Sequence, residues 1–300
     1  MNLAIADIET LSPGLKRFTF TGAELPWAGP GSHLVLEIPG AERTRKNAYS
    51  LIAAPDGAYR IVVRRVERSR GGSHWLHDHA RPGDVLEVRA PQNFFHPPRN
   101  AKRHLLLSAG IGITPFLAYA QTPGLVYELH HCCKPEEAHS FRALLPQGAN
   151  AVLHTNREAL NLHGLLARQK LETHLSICGP ESFMDHAISL AKSLGWPPAK
   201  IHLESFGSAN WGNPFSVRLK RSGITVDVRP GESVLEALEA AGLNPPCLCR
   251  GGACGECRMS VLEGTPEHHD HYLSESEKTS GKSMMICVSR AITPELLLDF

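Results

Sequence analysis

The stretch CLCRGGACGEC, residues 247–257, places four cysteines within eleven positions. Three of them have the spacing C-x4-C-x2-C, and a further cysteine follows thirty residues after the last of the three. Glycine and alanine fill most of the gaps, so the chain can turn tightly and direct backbone N–H groups inward. Cys247 is out of this register and follows two prolines, so we interpret it as a bystander thiol. The spacing indicates one metal centre bound by Cys249, Cys254, Cys257 and Cys287.

This spacing is the plant-type ferredoxin arrangement of four thiolates around a 2Fe–2S cluster. The alternative is a structural zinc site, whose usual pattern is two separated C-x2-C pairs. The chain has one such pair, one x4 gap and one remote cysteine. The cluster is therefore the favoured interpretation.

Residues 214–300 resemble a plant-type ferredoxin domain with the β-grasp fold, in motif and in element order. FSVRLKRSGITVDVRPG predicts a hairpin that turns at Ser222-Gly223, and ESVLEALEAAG predicts a helix whose end is capped by Gly242. The cysteine loop comes next. MMICVSR and ITPELLLDF then predict a final pair of strands, the first of which contains Cys287.

The composition is that of a globular protein that binds neither nucleic acid nor membranes. Hydrophobic residues make up 42% and charged residues 20%, and the net charge is +1. Because the N-terminal residues lack a signal-peptide pattern and no long apolar run follows, we expect a cytoplasmic protein. Clustered thiols in a reducing compartment indicate metal or redox chemistry. HHDH, residues 268–271, lacks a helix-face metal motif, and we interpret it as a solvated loop.

The rest of the chain has two different patterns of predicted secondary structure. Residues 1–97 contain six short β-branched or alternating runs between turn residues, which is typical of a closed antiparallel Greek-key barrel. Residues 100–206 alternate strand and helix patterns, which is typical of an α/β fold with a parallel, doubly wound sheet. A polar stretch, GSANWGN at 207–213, follows. The sequence therefore predicts three domains, at 1–98, 99–207 and 214–300.

SAGIGITP, residues 108–115, joins a predicted strand to a predicted helix. Gly110 and Gly112 permit a tight turn and the close approach of a pyrophosphate to the backbone. Thr114 is the expected N-cap of the helix, with Pro115 at the first helical position. A single G-x-G is not the full dinucleotide fingerprint, because proline stands where its third glycine would be. This turn alone fits nucleotide binding and an ordinary βα turn equally well.

SICGPESFM, residues 176–184, is a second loop at a strand end. Taken alone, Cys178 is equally well a small buried residue. Together, GxGxTP and CGPxxFM resemble the pyridine-nucleotide domain of the ferredoxin–NADP reductase superfamily. The resemblance implies that the first loop contacts the pyrophosphate and that the cysteine loop lies beside the nicotinamide. The implied nucleotide-binding residues are Gly110, Gly112, Ile113, Thr114, Pro115, Cys178, Gly179 and Met184.

A nicotinamide gives up two electrons together as a hydride, whereas the cluster takes one at a time, so a flavin is needed between them. KNAYSL, residues 46–51, resembles the R-x-Y-S flavin motif of the superfamily, in which the tyrosine packs on the flavin and the serine lies near flavin N5. Tyr49 and Ser50 match this motif, although Tyr49 alone is equally an ordinary strand aromatic. Asn47 occupies the arginine position, which is a departure. Candidates to supply the missing charge are Arg45 and Arg64.

RGGS, residues 70–73, predicts a phosphate site for the flavin. The two glycines expose backbone amides, and Ser73 is the expected N-cap of the helix that follows. The alternative is a glycine-rich turn without a ligand. The flavin contacts implied by the resemblance are Asn47, Ala48, Tyr49, Ser50, Val62, Val63, Arg64, Gly71, Gly72 and Ser73.

The order of barrel, nucleotide domain and C-terminal ferredoxin resembles the phthalate dioxygenase reductase family over nearly all of the chain. The resemblance implies FMN as the flavin, in preference to FAD. NADH is favoured over NADPH, because Lys134 is the one cation near the end of the second strand of the nucleotide domain and two glutamates follow it. Phe206 either lies near the flavin, as the resemblance implies, or is a core aromatic.

The resemblance implies the reductase component of a multicomponent oxygenase. Electrons pass from NADH through FMN and the cluster to a Rieske-type or other metal-dependent oxygenase. The implied catalytic residues are Ser50, Cys178 and Phe206. Two alternatives remain: a reductase for another acceptor, and a ferredoxin-like carrier with decayed flavin and nucleotide sites, which Asn47 favours.

Overall fold

The computed structural model describes residues 1–40, 44–52, 57–67, 69, 71–156, 159–206 and 212–300. The chain forms two compact units. The first contains two sheets and extends to Ser205, and the second contains the third sheet from Phe206 onward. The predicted domain boundary at residue 207 and most of the GSANWGN stretch lie outside the described residues. Within the described ranges, no helix is long and apolar enough to cross a bilayer.

The first sheet of the first unit is antiparallel, with strand order β4-β3-β6-β1-β2-β5. The backbone N–H of Ile52 donates to the Arg60 carbonyl at 2.9 Å, so the two ends of the sheet meet and a barrel closes. Leu36, Phe18 and Phe20 are fully buried inside it. The elements are β1 (Asn2–Ser12), β2 (Leu15–Thr21), β3 (His33–Ile38), β4 (Arg45–Ser50), β5 (Tyr59–Arg64), α1 (Gly72–Asp78) and β6 (Val85–Gln92).

The second sheet of this unit is parallel, with strand order β11-β10-β7-β8-β9. Helices pack on both faces, so the central strand β7 is buried from His104 onward and has the apolar run Leu105–Leu107 at its centre. The elements are β7 (Arg103–Ala109), α2 (Thr114–Ala120), β8 (Tyr127–Cys132), α3 (Ala138–Leu144), β9 (Ala151–His154), α4 (Leu162–Ala167), β10 (Thr173–Cys178), α5 (Glu181–Ser193) and β11 (Ile201–Glu204).

The order of the parallel strands reverses between β7 and β10. The chain leaves β7 toward β8 on one side, whereas β10 lies on the other side. Ligands of open α/β sheets bind at such a switch point, outside the carboxyl ends of the strands. The predicted turn at 108–115 and the loop that begins at Cys178 both follow these ends.

The third sheet is mixed, with strand order β13-β12-β18-β14-β16, and helix α6 packs on it. The hairpin turns at Ser222-Gly223, as predicted, and Gly242 follows α6 with φ +78°. The elements are β12 (Phe215–Leu219), β13 (Thr225–Val228), α6 (Val234–Ala240), β14 (Arg258–Glu263), β15 (Pro266–Glu267), α7 (Glu275–Ser280), β16 (Ser283–Met285), β17 (Arg290–Ala291) and β18 (Glu295–Leu298).

The predicted final strand pair is wrong in two respects. β16 and β18 do not pair with each other, because β14 lies between them. Cys287 is not in a strand: the N–H groups of Val288 and Ser289 both donate to the carbonyl of Met285, at 3.2 and 2.9 Å, and this makes a turn. The turn lets the Cys287 side chain leave the sheet toward the cysteine loop.

Arg290 is an internal anchor of the second unit. Its side chain is 1% exposed and its guanidinium carbon lies 5.1 Å from the centre of the Phe215 ring. It donates hydrogen bonds to the carbonyls of Asn213, at 2.8 Å, and of Glu232. A buried guanidinium is tolerated when its N–H groups are hydrogen-bonded in this way. Arg290 therefore connects the start of β12 to the segment before α6.

Candidate functional site

The two predicted nucleotide loops meet at the ends of β7 and β10. Gly110–Ile113 forms one 3-10 turn, in which Gly110 has φ +55°. A Cβ atom at Gly112 would lie 2.3 Å from the Cys178 carbonyl oxygen, so a residue larger than glycine cannot fit without a shift. A Cβ atom at Gly179 would lie 3.2 Å from the backbone nitrogen of Ala109. The loops are therefore in direct backbone contact, because Gly112 leaves room for the peptide between Cys178 and Gly179.

The predicted N-cap of α2 is wrong. Thr114 is the first residue of the helix, and its Oγ1 donates to the Ile111 carbonyl at 3.0 Å. The preceding 3-10 turn leads directly into the helix and replaces a side-chain cap. Ile113, Thr114 and Pro115 are all buried, so their side chains fix the shape of the turn, and its glycine backbone remains to contact a ligand.

Cys178 and Met184 are almost fully buried, at 0% and 1% exposure. Burial raises the pKa of the Cys178 thiol well above its ordinary value, and the carboxylate of Glu204 adds to this effect. The thiol is therefore protonated at neutral pH and cannot serve as a base. Its contribution at this site is shape.

The two predicted flavin motifs also lie next to each other. A Cβ atom at Gly72 would lie 2.5 Å from the Asn47 side-chain oxygen, and one at Gly71, where φ is +113°, would lie 3.5 Å from Arg45 Nε. Arg70 lies outside the described residues. The structure thus places the Arg45 guanidinium beside Gly71. Asn47, which stands where the family motif has an arginine, lies next to Gly72, so Arg45 is close to the place where that positive charge is missing.

Ser73 is not the N-cap of α1, which corrects the prediction. The helix begins at Gly72, and the Ser73 hydroxyl instead accepts a hydrogen bond from the Val66 N–H at 3.4 Å. In β5, Val62 and Val63 are buried, and the Val63 carbonyl accepts from the His77 ring at 2.9 Å. Of the two valines proposed to line the flavin, Val63 therefore already has a partner for its carbonyl.

Ser50 carries a buried polar group that needs a partner. Its side chain is 5% exposed, and its hydroxyl has no hydrogen-bond partner among the described residues. Tyr49, next to it, packs against the barrel core, and Ala48 pairs with Val35 of β3. A buried hydroxyl is costly unless it is bonded, so Ser50 fits a site where a bound cofactor supplies the partner.

Arg64, at the end of β5, reaches the nucleotide turn. Its Nη1 donates to Glu137 Oε1 at 2.6 Å. Its Nη2 is buried and has no hydrogen-bond partner within the described ranges, and a Cβ atom at Gly110 would lie 3.8 Å from it. One guanidinium nitrogen is therefore directed at the turn and can donate to an anionic group there.

The four predicted cluster ligands converge in the second unit. The Sγ atoms of Cys257 and Cys287 are 3.1 Å apart, and the thiol of Cys249 interacts with those of both Cys254 and Cys287. In the part of the chain that the structure describes, no three histidine, cysteine or acidic side chains form a site for a single metal ion. Four converging thiols match the number of cysteines that bind a 2Fe–2S cluster.

The pKa values of the thiols respond to their neighbours. A hydrogen bond from Cys254 lowers the pKa of Cys249, helped by the Gly251 N–H, which donates to Cys249 Sγ at 3.4 Å. The same contact raises the pKa of Cys254. Backbone N–H groups aimed at a thiolate are the donors that a bound cluster requires.

The structure also places Cys247 against these thiols, which sequence spacing did not indicate. Its side chain lies within hydrogen-bonding reach of Cys257 and Cys287. This proximity does not make Cys247 a ligand, and its interpretation as a bystander stays a prediction. The signal that was available is its position two residues before the first ligand, on the chain that enters the loop.

The cysteine loop is held from both sides. Arg250, with φ +55°, forms a nearly buried bidentate pair with Glu239 of α6, at 2.7 and 2.9 Å. Gly255 has φ +84°, and a Cβ atom there would lie 2.3 Å from the Tyr272 ring. Gly252 accepts a backbone hydrogen bond from His271 at 3.2 Å. These contacts fix the loop before a cluster binds.

The HHDH stretch is not a solvated loop. Asp270 is 2% exposed, and its carboxylate accepts from the backbone N–H groups of Tyr272 and Leu273, at 3.2 and 2.8 Å. Because the same segment bonds to Gly252, it supports the cysteine loop. Phe206, by contrast, is 42% exposed at the start of the second unit, so it is not a core aromatic.

Comparisons with known proteins agree with this geometry. Residues 217–291 match the family described as the 2Fe-2S iron-sulfur cluster binding domain. The chain is 41% identical to the heme-dependent oxidative N-demethylase beta subunit of Ectopseudomonas mendocina, over 100% of this chain and 98% of that one. It is 36% identical to the carnitine monooxygenase reductase subunit of Acinetobacter baumannii, over 98% of this chain and 96% of that one.

The fold comparison gives the same result. The solved structure of phthalate dioxygenase reductase, described as modular for electron transfer from pyridine nucleotides to [2Fe–2S], has a TM-score of 0.83. It is 32% identical and covers 100% of this chain and 98% of its own. The predicted fold class, an antiparallel barrel, a parallel α/β sheet and a β-grasp ferredoxin fold, is confirmed.

Proposed function

This chain belongs to the phthalate dioxygenase reductase family, and from that premise we propose that it is the NADH-dependent reductase component of a multicomponent oxygenase. The observation that carries this proposal is the contact of Gly112 with Cys178 and Gly179. It joins two loops that lie far apart in the sequence into one backbone-lined surface, which supports a nucleotide site there. When bound, a flavin converts a hydride into single electrons and a 2Fe–2S cluster carries them one at a time.

In this proposal the nucleotide is held by the turn Gly110–Ile113 and by the Cys178–Gly179 loop. Arg64 donates from Nη2 to the phosphates, whereas its Nη1 is already bound to Glu137 at 2.6 Å. The protonated Cys178 thiol shapes the place of the nicotinamide. Met184, one helical turn into α5, supports the loop from the core.

NADH is the proposed nucleotide because of the residues that follow β8. Lys134 and Glu136 are exposed there, and Glu137 is held by Arg64. An NADPH site would require an arginine or a basic pair for the 2′-phosphate. Lys134 alone does not provide that positive charge, and the exposed carboxylate of Glu136 would repel a 2′-phosphate.

FMN is the proposed flavin, with its phosphate beside Gly71 and Gly72. Arg45 supplies the charge that the family arginine would supply from the position of Asn47. The Ser50 hydroxyl, which has no partner among the described residues, would donate a hydrogen bond to the flavin ring near N5, and Tyr49 would pack on the ring. These roles follow the family motif, and the support for them is the contact of Gly72 with Asn47 and of Gly71 with Arg45.

The cluster ligands in this proposal are Cys249, Cys254, Cys257 and Cys287. Phe206 is assigned to the path by which the nicotinamide reaches the flavin, and its exposure is compatible with that role. The electron acceptor is an oxygenase component. Relatives carry the names of subunits of a heme-dependent N-demethylase and of a carnitine monooxygenase, so an oxidative demethylase or a monooxygenase is the partner to test first.

An anaerobic NADH titration of the freshly purified protein, followed by visible absorption, tests the proposal. We expect the flavin and cluster bands to bleach together and to saturate near about three electrons per chain, two for the flavin and one for the cluster. Mass spectrometry of the extracted flavin distinguishes FMN from FAD, and a parallel NADPH titration tests the nucleotide. Cluster bands without a flavin, or without a response to NADH, would instead indicate a ferredoxin-like carrier.

A further inference from the structure

The side chain of Arg64 is held on three sides where the barrel of the first unit meets its parallel sheet. Its Nη1 donates to Glu137 Oε1 at 2.6 Å, and its guanidinium carbon lies 6.0 Å from the centre of the Phe141 ring. A Cβ atom at Gly110 would lie 3.8 Å from its Nη2. Nη2 is buried and has no hydrogen-bond partner in the part of the chain that the structure describes. The unbonded donor of this guanidinium therefore lies at the nucleotide turn.

Glu137 approaches Arg64 from the other half of the first unit. It directly precedes α3, whereas Arg64 ends strand β5 of the barrel, and 73 residues separate the two in sequence. Glu137 is 8% exposed, and a carboxylate so nearly buried requires a charged or hydrogen-bonding partner, which Arg64 supplies. The Glu137 N–H donates to the Lys134 carbonyl at 3.0 Å, so the backbone that carries this carboxylate is fixed as well.

Phe141 connects the ion pair to the strand that leads into the nucleotide turn. Its ring is fully buried and packs edge-on against the His131 ring, with 4.6 Å between the ring centres. His131 Nδ1 lies 2.9 Å from the Ser108 hydroxyl, near the end of β7. Burial lowers the pKa of His131 to about 3, so the ring is uncharged at neutral pH and adds no positive charge beside Arg64. Packed neutral side chains thus connect the guanidinium to the end of β7.

We propose that Glu137 is a positioning residue, which holds the Arg64 guanidinium so that Nη2 donates to the pyrophosphate of the bound nucleotide. An arginine side chain has many rotamers, and fixing one of them before binding removes the cost of ordering it from the binding step. The inference rests on the proposed function, because it requires a nucleotide at the turn. It adds a role for a carboxylate that acts through another residue.

The test measures nucleotide binding and turnover in the full-length protein with its cofactors bound. Glu137→Gln keeps the length of the side chain and removes its charge. We expect ADP-ribose, which has the pyrophosphate but no nicotinamide, to bind roughly tenfold more weakly to this variant. KM for NADH should rise by a similar factor while kcat changes by less than about twofold, since the contact is equally present in the ground and transition states. Isothermal titration calorimetry and steady-state reduction of ferricyanide give these values.

A double variant shows whether Glu137 acts through Arg64. Arg64→Gln should itself weaken ADP-ribose binding. Glu137→Gln/Arg64→Gln should bind no more weakly than Arg64→Gln alone, because no guanidinium remains to be positioned. If Glu137→Gln does not fold, Glu137→Asp takes its place, because its side chain is one methylene shorter and no longer holds the guanidinium at the same point.

Ser140→Ala is the matched control. The Ser140 hydroxyl donates to the Leu11 carbonyl at 2.7 Å, which is a second contact between α3 and the barrel and does not involve Arg64. We expect this variant to leave ADP-ribose binding and KM for NADH unchanged. Thermal melts of all variants confirm that they are folded at the temperature of the assays.

The inference is overturned by unchanged ADP-ribose binding in Glu137→Gln, by an equal loss in Ser140→Ala, by additive losses in the double variant, or by a fall in kcat at unchanged KM. Failure of the proposed function is a separate result. In that case the unsubstituted protein itself neither binds ADP-ribose nor is reduced by NADH.

Discussion

The cysteine loop and the nucleotide turn are both built on glycines, but they use them differently. In the cysteine loop, side-chain thiols are the proposed ligands and the glycines at 252 and 255 make room for neighbouring side chains. In the nucleotide turn, the backbone is the proposed binding surface, and Gly112 makes room for a second backbone segment. The first site is therefore specified mainly by local spacing, whereas the second exists only after two strands have been placed side by side.

This difference determines how each site should fail. Loss of one thiol removes a bond to the metal outright, whereas added bulk in the turn displaces a surface by about an ångström. The first unit also contains buried histidines, which make it sensitive to acid in a way that can be measured. Each of the following variants alters one of the two units and leaves the other unchanged as an internal control.

The largest effect is expected from Cys249→Ala. The variant should lose the cluster entirely, because one of the four proposed thiolate ligands is removed. Reduction of the flavin by NADH should continue at close to its usual rate, since the first unit is unchanged. Visible absorption and stopped-flow flavin bleaching measure the two results. Cys133→Ala, in the first unit, is the control, and a retained normal cluster in Cys249→Ala would refute the ligand assignment.

Arg290→Met tests what holds the second unit together. It leaves the carbonyls of Asn213 and Glu232 without their buried donor, so we expect unfolding of this unit to become easier by about 1–3 kcal/mol for each unpaired carbonyl. Denaturant unfolding followed by cluster absorbance gives the value. Arg221→Met removes only an exposed pair with Asp299 and should cost less than about 1 kcal/mol. Similar losses in both variants would mean that Arg290 is not an anchor.

Gly112→Ala tests the nucleotide turn. The new methyl group would lie 2.3 Å from the Cys178 carbonyl oxygen, so the two loops must separate. A misplacement of this size typically lowers a rate about 100-fold, and we expect that loss in kcat/KM for NADH with the cluster spectrum intact. Gly14→Ala meets nothing within 4 Å and should leave kcat/KM unchanged. Full activity of Gly112→Ala would show that the contact of the loops is not needed.

Arg45→Gln tests whether this arginine replaces the family arginine at Asn47. Loss of a charge-assisted contact of about 1.5 kcal/mol predicts roughly tenfold weaker FMN binding. Titration of the flavin-free protein with FMN and with riboflavin, which lacks the phosphate, separates a phosphate contact from a ring contact. If the loss is equal for both flavins, Arg45 does not contact the phosphate.

The smallest effect is an acid sensitivity of the first unit. Burial lowers the pKa of His131 to about 3, and its ring bonds to the Ser108 hydroxyl at 2.9 Å. The unfolded chain takes up a proton below pH about 6.5, whereas the folded ring does not, so this contribution to stability is complete above that pH and is lost as the pH falls. The slope is up to about 1.4 kcal/mol per pH unit from this one site.

Thermal melts between pH 7.5 and 5, followed by flavin release, measure this slope. Burial also lowers the pKa of His202, to about 4, so His131→Gln should reduce the slope but not abolish it. Cluster bleaching in the same samples reports the second unit. An unchanged slope in His131→Gln would exclude a contribution from this histidine.

The outline of the protein could be read from the sequence. The C-x4-C-x2-C spacing, the alternating strand rhythm of residues 1–97 and the strand-helix rhythm of 100–206 each depend on neighbours a few positions apart. Such patterns reflect local geometry, the 2-residue period of a strand and the 3.6-residue period of a helix, and they survive without knowledge of the fold. The fold class and the family resemblance followed from them.

What the sequence could not determine are the relations between distant segments. The positions of Thr114 and Ser73 within their helices, the insertion of β14 between β16 and β18, and the pairing of Arg64 with Glu137 depend on how strands are ordered. Sequence spacing separates Cys247 from the predicted metal ligands, whereas folding places its thiol against two of them. Spacing along the chain determines which kinds of site the residues can form. Long-range packing determines which residues come into contact, because burial of apolar surface stabilises a contact whatever the separation of its residues in sequence.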